Sequence, residues 1–413
     1  MRVVDRLRGL LNYCFRWLLA VSAVCEPRIV VKLSTRMDGV APFQVMAILE
    51  RARALQAEGR DVIHLEVGEP DFATPAAIVE AGRQALADGH TFYTAAQGLP
   101  SLREAIAGFY LQRYGVMVDA CRIIVTPGAS GALQIALSLL VDQGDQVLMA
   151  DPTYPCNRHF VSLLGGEAIC LPVGPESRYQ LLAEDVDATW AERTVAAMVA
   201  SPANPTGTLL SAQELAALSA SCKQHGGRLI VDEIYHGLTY GCDAATALAV
   251  DPDVFVINSF SKYFQMTGWR LGWLVVPEAY VEPALRLAQN LFLCPPAMAQ
   301  YAALAAFQPS VIAELEQRRA EFGRRRDFLL QALPQLGWKL PVQPEGAFYL
   351  YADVSAVTGD SFAYCERLLE EVNVAITPGA DFGRFGAQRH VRVAYTAGIE
   401  RLAEAVRRIA GLA

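Results

Sequence analysis

Short apolar runs alternate along the chain with stretches of helical spacing, and this alternation sets the fold class. Phe43, Met46, Ala47, Leu49, Ala52 and Leu55 recur at helical intervals and predict a helix from Pro42 to Gln56. An alternating strand, Val62 to Val67, comes after it and ends in the turn Gly68-Glu69-Pro70-Asp71-Phe72. Ala76 to Leu86 reads as a helix, and Ser101 to Tyr114 as another, with Ser101 and Glu104 spaced for a capping box. In the middle of the chain each apolar run meets a turn of small and polar residues. Ile123 to Val125 leads into Pro127-Gly128-Ala129-Ser130-Gly131 and a helix to Leu140, and Val147 to Ala150 leads into Asp151-Pro152-Thr153-Tyr154-Pro155. Strand Ala168 to Val173 comes next, then Val195 to Ala200 with Pro202-Ala203-Asn204-Pro205-Thr206-Gly207, and a helix from Ser211 to His225. Strands Leu229 to Asp232, Val254 to Ile257 and Leu271 to Val276 complete the series. Repeated strand and helix predict an α/β fold, a largely parallel sheet covered on both faces with its ligand crevice at the strand ends.

From about Pro283 the helices lengthen, and strands over 346–351 and 391–395 lie between helices. That change predicts a smaller α+β domain, completed by the early part of the chain packing back on it. The expected division is an extension over 1–31, an arm and part of the small domain over 32–67, a large domain over 68–308 and a small domain over 309–413.

The 413 residues carry 35 basic and 43 acidic side chains, a net charge of −8, so no nucleic-acid footprint is expected. Nine cysteines without CxxC spacing and six histidines without an HExxH pair predict neither a disulfide framework nor a metal site, and point to a reducing, cytoplasmic setting. The longest uncharged run, Leu287 to Ala313, is broken by Pro295-Pro296, so no transmembrane helix is expected. Residues 1–31 differ: Arg2, Arg6 and Arg8 precede a mostly apolar stretch interrupted by Arg16, with Ala20-Val21-Ser22 as a cleavage context. A dispensable or misassigned start, an amphipathic surface segment and a cleaved signal are all compatible with that pattern.

The chemistry gathers around Ser259-Phe260-Ser261-Lys262. An apolar strand runs into a small-polar turn with one lysine, and Arg270 follows before the next strand. A lysine desolvated beside cations loses proton affinity and becomes a carbonyl-reactive nucleophile. Arg270 offers a planar fork to a phosphate, with Ser259 and Ser261 as hydroxyl donors. Ala129 and Ser130, at a helix N-terminus, offer backbone N–H groups to the same anion. Together these suggest a pyridoxal-phosphate site. Asp232 ends an apolar strand and would pair with a protonated pyridine nitrogen; Tyr235 and Asn204 are placed to bond the phenolic oxygen, and Tyr154 to stack on the ring. Arg392 alternates with Val391 and Val393, a single fork for a carboxylate on an apolar strand.

The order of these motifs resembles the class I/II aminotransferases of the aspartate aminotransferase superfamily, the fold type I pyridoxal-phosphate enzymes. The resemblance runs from about Lys32 to the C-terminus. It rests on Gly68-Glu69-Pro70-Asp71-Phe72, Tyr93 with Gly98-Leu99, Pro127 to Leu133, Asn204-Pro205-Thr206-Gly207, Asp232-Glu233-Ile234-Tyr235, Ser259 to Lys262 with Arg270, and Val391-Arg392-Val393. It implies a large domain with a mostly parallel seven-stranded sheet sandwiched by helices, a small domain built from both chain ends, and a homodimer in which Tyr93 reaches the neighbouring site. It implies that Lys262 holds the cofactor as a Schiff base and shuttles the α-proton, that Asp232 and Tyr235 assist it, and that Gly68, Asn204 and Arg392 receive the substrate. Transfer of an amino group from an L-amino acid to a 2-oxo acid would then show ping-pong kinetics. At Ala129 many relatives carry a polar residue, so backbone must serve the phosphate there. A β-eliminating carbon–sulfur lyase of the same fold shares every cofactor contact and is the competing enzyme reading. A cofactor-sensing transcription regulator would need a basic DNA-binding domain ahead of this module, which the apolar lead does not resemble.

Overall fold

The computed structural model describes residues 32–40 and 44–412. The leader over 1–31, and the first residues of the helix expected from Pro42, lie outside the described residues. The chain divides into two units between Gly39 and Val40. Within the first, the described residues carry one short 3-10 turn, Thr35–Gly39. The second holds the described strands and α-helices.

Twelve strands are described: β1 (Ile63–His64), β2 (Ile123–Thr126), β3 (Gln146–Asp151), β4 (Glu167–Pro172), β5 (Thr194–Ala200), β6 (Arg228–Asp232), β7 (Phe255–Ser259), β8 (Gly272–Val275), β9 (Tyr349–Asp353), β10 (Val374–Ala375), β11 (Thr377–Pro378) and β12 (His390–Ala394). Seven form one sheet in the order β2-β8-β7-β6-β5-β3-β4. β8 runs antiparallel to both neighbours and the other contacts are parallel. This is the mostly parallel α/β sheet expected from the strand–helix alternation.

The period of two along each strand divides the interior into two cores. Ile124, Val147, Met149, Ile230, Ile257 and Leu274 pack with the helix Gly128–Leu140 on one face. Ile123, Val125, Leu148, Val231, Val256 and Trp273 belong to the core on the other. Both faces are therefore covered, and β2, β7 and β8 are buried at every position.

A second sheet, β11-β12-β9, is antiparallel, with Arg392 opposite Tyr351 and Thr377. β1 pairs in parallel with β10. Of the alternating run Val62 to Val67 only Ile63–His64 forms a ladder, because its partner strand is equally short.

The capping box expected at Ser101 is absent. The helix begins one residue earlier, at Pro100, with Leu99 as the cap residue and no side-chain cap bond. Proline's fixed φ starts the helix, and Gln300 Oε1 accepts the Leu99 N–H at 2.8 Å. Ser211 and Glu214 do form such a box at the helix Ala212–Gln224, each side chain accepting the other's backbone N–H at 3.2 and 2.7 Å.

Candidate active site

The carboxyl ends of β7, β6, β5 and β3 lie side by side, and the turns after them carry Lys262, Asp232 with Tyr235, Asn204, and Tyr154. Four strand ends thus deliver side chains expected from sequence to one rim. Lys262 Nζ donates to the Gly68 carbonyl at 2.6 Å and lies 5.9 Å from the ring centroids of both Tyr235 and Phe348. Burial, with the charges of Arg392 and Arg270 adding to it and Glu69 and Asp232 opposing, pushes the amine down to about 8. Gly68 is tightly determined: a Cβ there would stand 1.9 Å from Tyr349 Oη.

Asp232 is buried, and burial raises its carboxyl to about 6 against the opposing N–H of Ile234, which donates to Oδ1 at 3.0 Å. A cationic partner would recover that desolvation cost. Next to it Glu233 is fully buried, accepts from Thr246 Oγ1 and the Ala247 N–H, and faces His236 Nδ1 at 3.4 Å. Burial raises Glu233 to about 8 and lowers His236 to about 3, so neutral forms prevail in that neighbouring cluster.

At the other end of the rim, Arg270 adopts a left-handed backbone, φ 53°, and its Nη1 donates to the Thr267 carbonyl at 3.0 Å. Its Nη2 lies 2.6 Å from where a Cβ on Gly128 would stand, and Gly128 itself has φ +73°. Only glycine accepts both demands without strain. The guanidinium is thereby laid against the N-terminus of the helix that begins Gly128-Ala129-Ser130. Ser259 Oγ lies 2.9 Å from Ser261 Oγ and 3.0 Å from the Leu271 carbonyl. Guanidinium, helix N-terminus and paired hydroxyls form a donor set matched to a phosphate dianion.

Arg392 is buried on β12, its Nη1 donating to Asn204 Oδ1 at 3.0 Å and its Nη2 to the Glu66 carbonyl. Its guanidinium lies 4.3 Å from the Tyr349 ring centroid and 4.7 Å from that of Phe382. Both rings lie in cation–π range of the guanidinium, each contact contributing about 0.5–2 kcal/mol. Nε has no protein partner among the described residues.

The donor set fits pyridoxal phosphate: a depressed amine, a buried carboxylate for the ring nitrogen, and a phosphate cradle. Tyr154 is half-buried, and burial raises its hydroxyl with Asp232 and Tyr349 among the nearby groups. The exposures of two expected contributors differ in meaning: Ser130 offers its backbone at the helix N-terminus whatever its side chain does, whereas the Tyr93 side chain is turned to solvent in a single chain. Ser130 is exposed, and Tyr93 is 81% exposed next to Phe92 at 83%. Arg158 donates to the Asp381 carbonyl at 2.9 Å.

Tyr349 and Phe382 did not stand out in the sequence. Tyr349 Oη lies 2.8 Å from Tyr235 Oη. The one available signal was the period of two in 347–351, which puts Tyr349 and Tyr351 on the same face of a strand.

The family model for aminotransferase class I and II matches residues 60–409. Among curated relatives, the valine–pyruvate aminotransferase of Mycobacterium tuberculosis is 40% identical over 376 residues, covering 90% of this chain and 96% of that protein. The aspartate aminotransferase of Geobacillus stearothermophilus is 36% identical over 391 residues, covering 92% and 98%. Among solved structures, an aminotransferase from Mycobacterium tuberculosis superposes with a TM-score of 0.89 at 39% identity, covering 93% of this chain and 99% of that one. With a family model matched over most of its length and relatives of 36–40% identity, this chain belongs to the class I and II aminotransferases, enzymes of fold type I that use pyridoxal phosphate.

Proposed function

We propose that the chain moves an amino group from an L-amino acid to a 2-oxo acid in two ping-pong half-reactions, with Lys262 holding the cofactor as a Schiff base. The observation that carries this reading is the Lys262 amine, pushed down to about 8 and set 2.6 Å from the Gly68 carbonyl at the end of β7, one strand from the buried Asp232. Bound pyridoxal phosphate supplies the electron sink that lets a proton leave the substrate α-carbon. Asp232 keeps the ring nitrogen protonated, while Asn204 and Tyr235 donate to the phenolic oxygen and Tyr154 stacks on the ring. Ser259, Ser261, Arg270 and the backbone at Ala129 and Ser130 hold the phosphate. Arg392 fixes the substrate carboxylate against Gly68 and Asn204, which presents the α-proton to Lys262 as base and then acid.

In this reading residues 32–67 supply an N-terminal arm and part of a small domain, 309–413 the rest of that domain, and 68–308 the large one. The enzyme is a homodimer, supported by the exposure of Phe92 and Tyr93, with Tyr93 serving the neighbouring site. A cytoplasmic location accords with seven described cysteines that are all free. Among the described residues no helix is long and apolar enough to cross a membrane.

The test is the visible spectrum of the holoenzyme before and after separate additions of L-valine, L-alanine, L-aspartate, L-glutamate and an aromatic amino acid, with product analysis. Valine and aspartate enter because relatives carry those names. Bleaching by a donor and recolouring by a 2-oxo acid is the expected result, and Lys262→Ala should abolish turnover and hydride-reducible cofactor attachment. Ammonia and pyruvate released from cysteine without bleaching would overturn transamination in favour of β-elimination, and near-normal turnover by Lys262→Ala would overturn the mechanism.

A further inference from the structure

Tyr349 touches three groups of the candidate site, two through its hydroxyl and one through its ring. Its hydroxyl lies 2.8 Å from Tyr235 Oη. One face of its ring carries the Arg392 guanidinium at 4.3 Å. Its hydroxyl also packs against Gly68, where a Cβ would stand 1.9 Å away, and the Gly68 carbonyl accepts from Lys262 Nζ at 2.6 Å. The side chain is 1% exposed and comes from β9, whose neighbour β12 carries Arg392.

We infer that Tyr349 is a positioning residue that joins the substrate-carboxylate fork to the cofactor's phenolic end. The inference rests on the roles proposed for Tyr235 and Arg392. The hydroxyl and the ring do separable work. Either hydroxyl can donate across the 2.8 Å contact; with Tyr349 as the donor, the Tyr235 proton is left free to point at the cofactor's phenolic oxygen. A phenol that accepts one hydrogen bond is a stronger donor in the next, so Tyr349 strengthens the bond that Tyr235 makes. That bond spreads charge from the phenolate and lowers its pull on the proton of the Lys262 linkage. The ring, together with that of Phe382 at 4.7 Å, keeps the Arg392 guanidinium from rotating away from the carboxylate. Backbone closeness at Gly68 fixes the hydroxyl end, so neither half can move without the other.

Two variants separate the halves. Tyr349→Phe keeps the ring and loses the hydroxyl; Tyr349→Leu loses both. Holoenzymes of wild type and both variants are titrated from pH 5 to 10 while the visible band is followed, and KM and kcat are measured with the donor that bleaches wild type. Tyr349→Phe should move the midpoint of the band upward by about 0.5 unit and leave the donor KM within about twofold. Tyr349→Leu should move the midpoint equally and raise KM about tenfold, with kcat changing less. A merely structural role would lower thermal stability in both variants without moving the midpoint, and that result overturns the inference. A downward shift in Tyr349→Phe also overturns it, because it means that Tyr349 takes the Tyr235 proton rather than giving its own. Tyr235→Phe and Arg392→Lys serve as references. If Tyr235→Phe leaves the midpoint in place, or Arg392→Lys leaves KM in place, the fault lies in the proposed role of that residue, and the coupling through Tyr349 falls with it.

Discussion

Lys262 and Asp232 are both displaced toward neutrality by burial, the amine down to about 8 and the carboxyl up to about 6. At pH 7 an amine of that kind is about a tenth unprotonated, a few hundredfold more than an unperturbed lysine. In the proposed mechanism the free amine would take the cofactor aldehyde, and the ionised Asp232 would pair with the ring nitrogen. Lys262 loses its proton as pH rises through about 8, and Asp232 gains one as pH falls through about 6. The rate at which apoenzyme binds pyridoxal phosphate covalently should therefore climb from pH 6 and level off a little above pH 8. Stopped-flow absorbance across pH 6 to 10 measures this, and a rate still climbing tenfold per unit between pH 9 and 10 would show that the amine is not depressed. Lys262, Asp232, Arg270 and Arg392 were legible in the sequence because each is an ionisable group where a strand or its turn would otherwise be apolar or small. Tyr349 was not. Within Ala347-Phe348-Tyr349-Leu350-Tyr351 an aromatic is ordinary strand filling, and its meaning comes from Tyr235, 114 residues away.

The same division holds for elements. The seven strands of the large sheet were legible to within a few residues because the period changes between two and 3.6 mark them. The two-residue β10 and β11 and the short helices Pro155–Leu163 and Ala183–Thr189 are too brief to show a period. What stayed hidden was how loops from distant elements hold one another. Asp151 at the end of β3 accepts the backbone N–H of Arg384, 2.9 Å to Oδ2, and the Phe382 carbonyl accepts from Thr153 N–H at 3.0 Å. Asp381 in the same loop accepts the N–H of Gln44 at 3.0 Å at the start of the helix Gln44–Ala57. One loop is thus fastened to the turn that carries Tyr154, to an N-terminal helix and, through Phe382, to the face of Arg392. Asp151 read as a turn residue from sequence because the N–H it accepts from lies 233 positions further along the chain. Asp151→Ala leaves the part-buried Arg384 backbone N–H without its carboxylate acceptor, which should cost about 1–3 kcal/mol of stability. Asp151→Asn retains one acceptor and should recover part of that loss. Urea denaturation of both holoenzymes reads the difference, and an alanine variant as stable as wild type would mean that the loop does not depend on this bond.

At the scale of the molecule, one chain brings Lys262, Asp232, Arg270 and the paired serines to the rim of the large sheet and Arg392 from β12 of the smaller sheet, but it leaves Tyr93 in solvent. Tyr93 is 81% exposed on a segment whose base is fixed by Gln300, which donates to Thr94 Oγ1 at 2.9 Å, and by Val125, whose N–H donates to the Gln97 carbonyl at 3.0 Å. A firmly held segment that presents two adjacent exposed aromatics is placed to cover another surface rather than its own. In a two-fold dimer each chain would offer this segment to the other's site, so the two sites exchange one residue each. Mixing two defective chains tests that exchange directly. One chain carries Lys262→Ala and a normal Tyr93; the other carries Tyr93→Ala and a normal Lys262. If Tyr93 serves the neighbouring site, each mixed dimer rebuilds one intact site, and random pairing during co-expression restores about a quarter of wild-type activity. If Tyr93 serves its own chain, every site in the mixture lacks one of the two residues, and activity stays at the average of the two separate variants. The outcome depends only on which chain supplies Tyr93, so a gain above that average establishes both the dimer and the crossing of its residues.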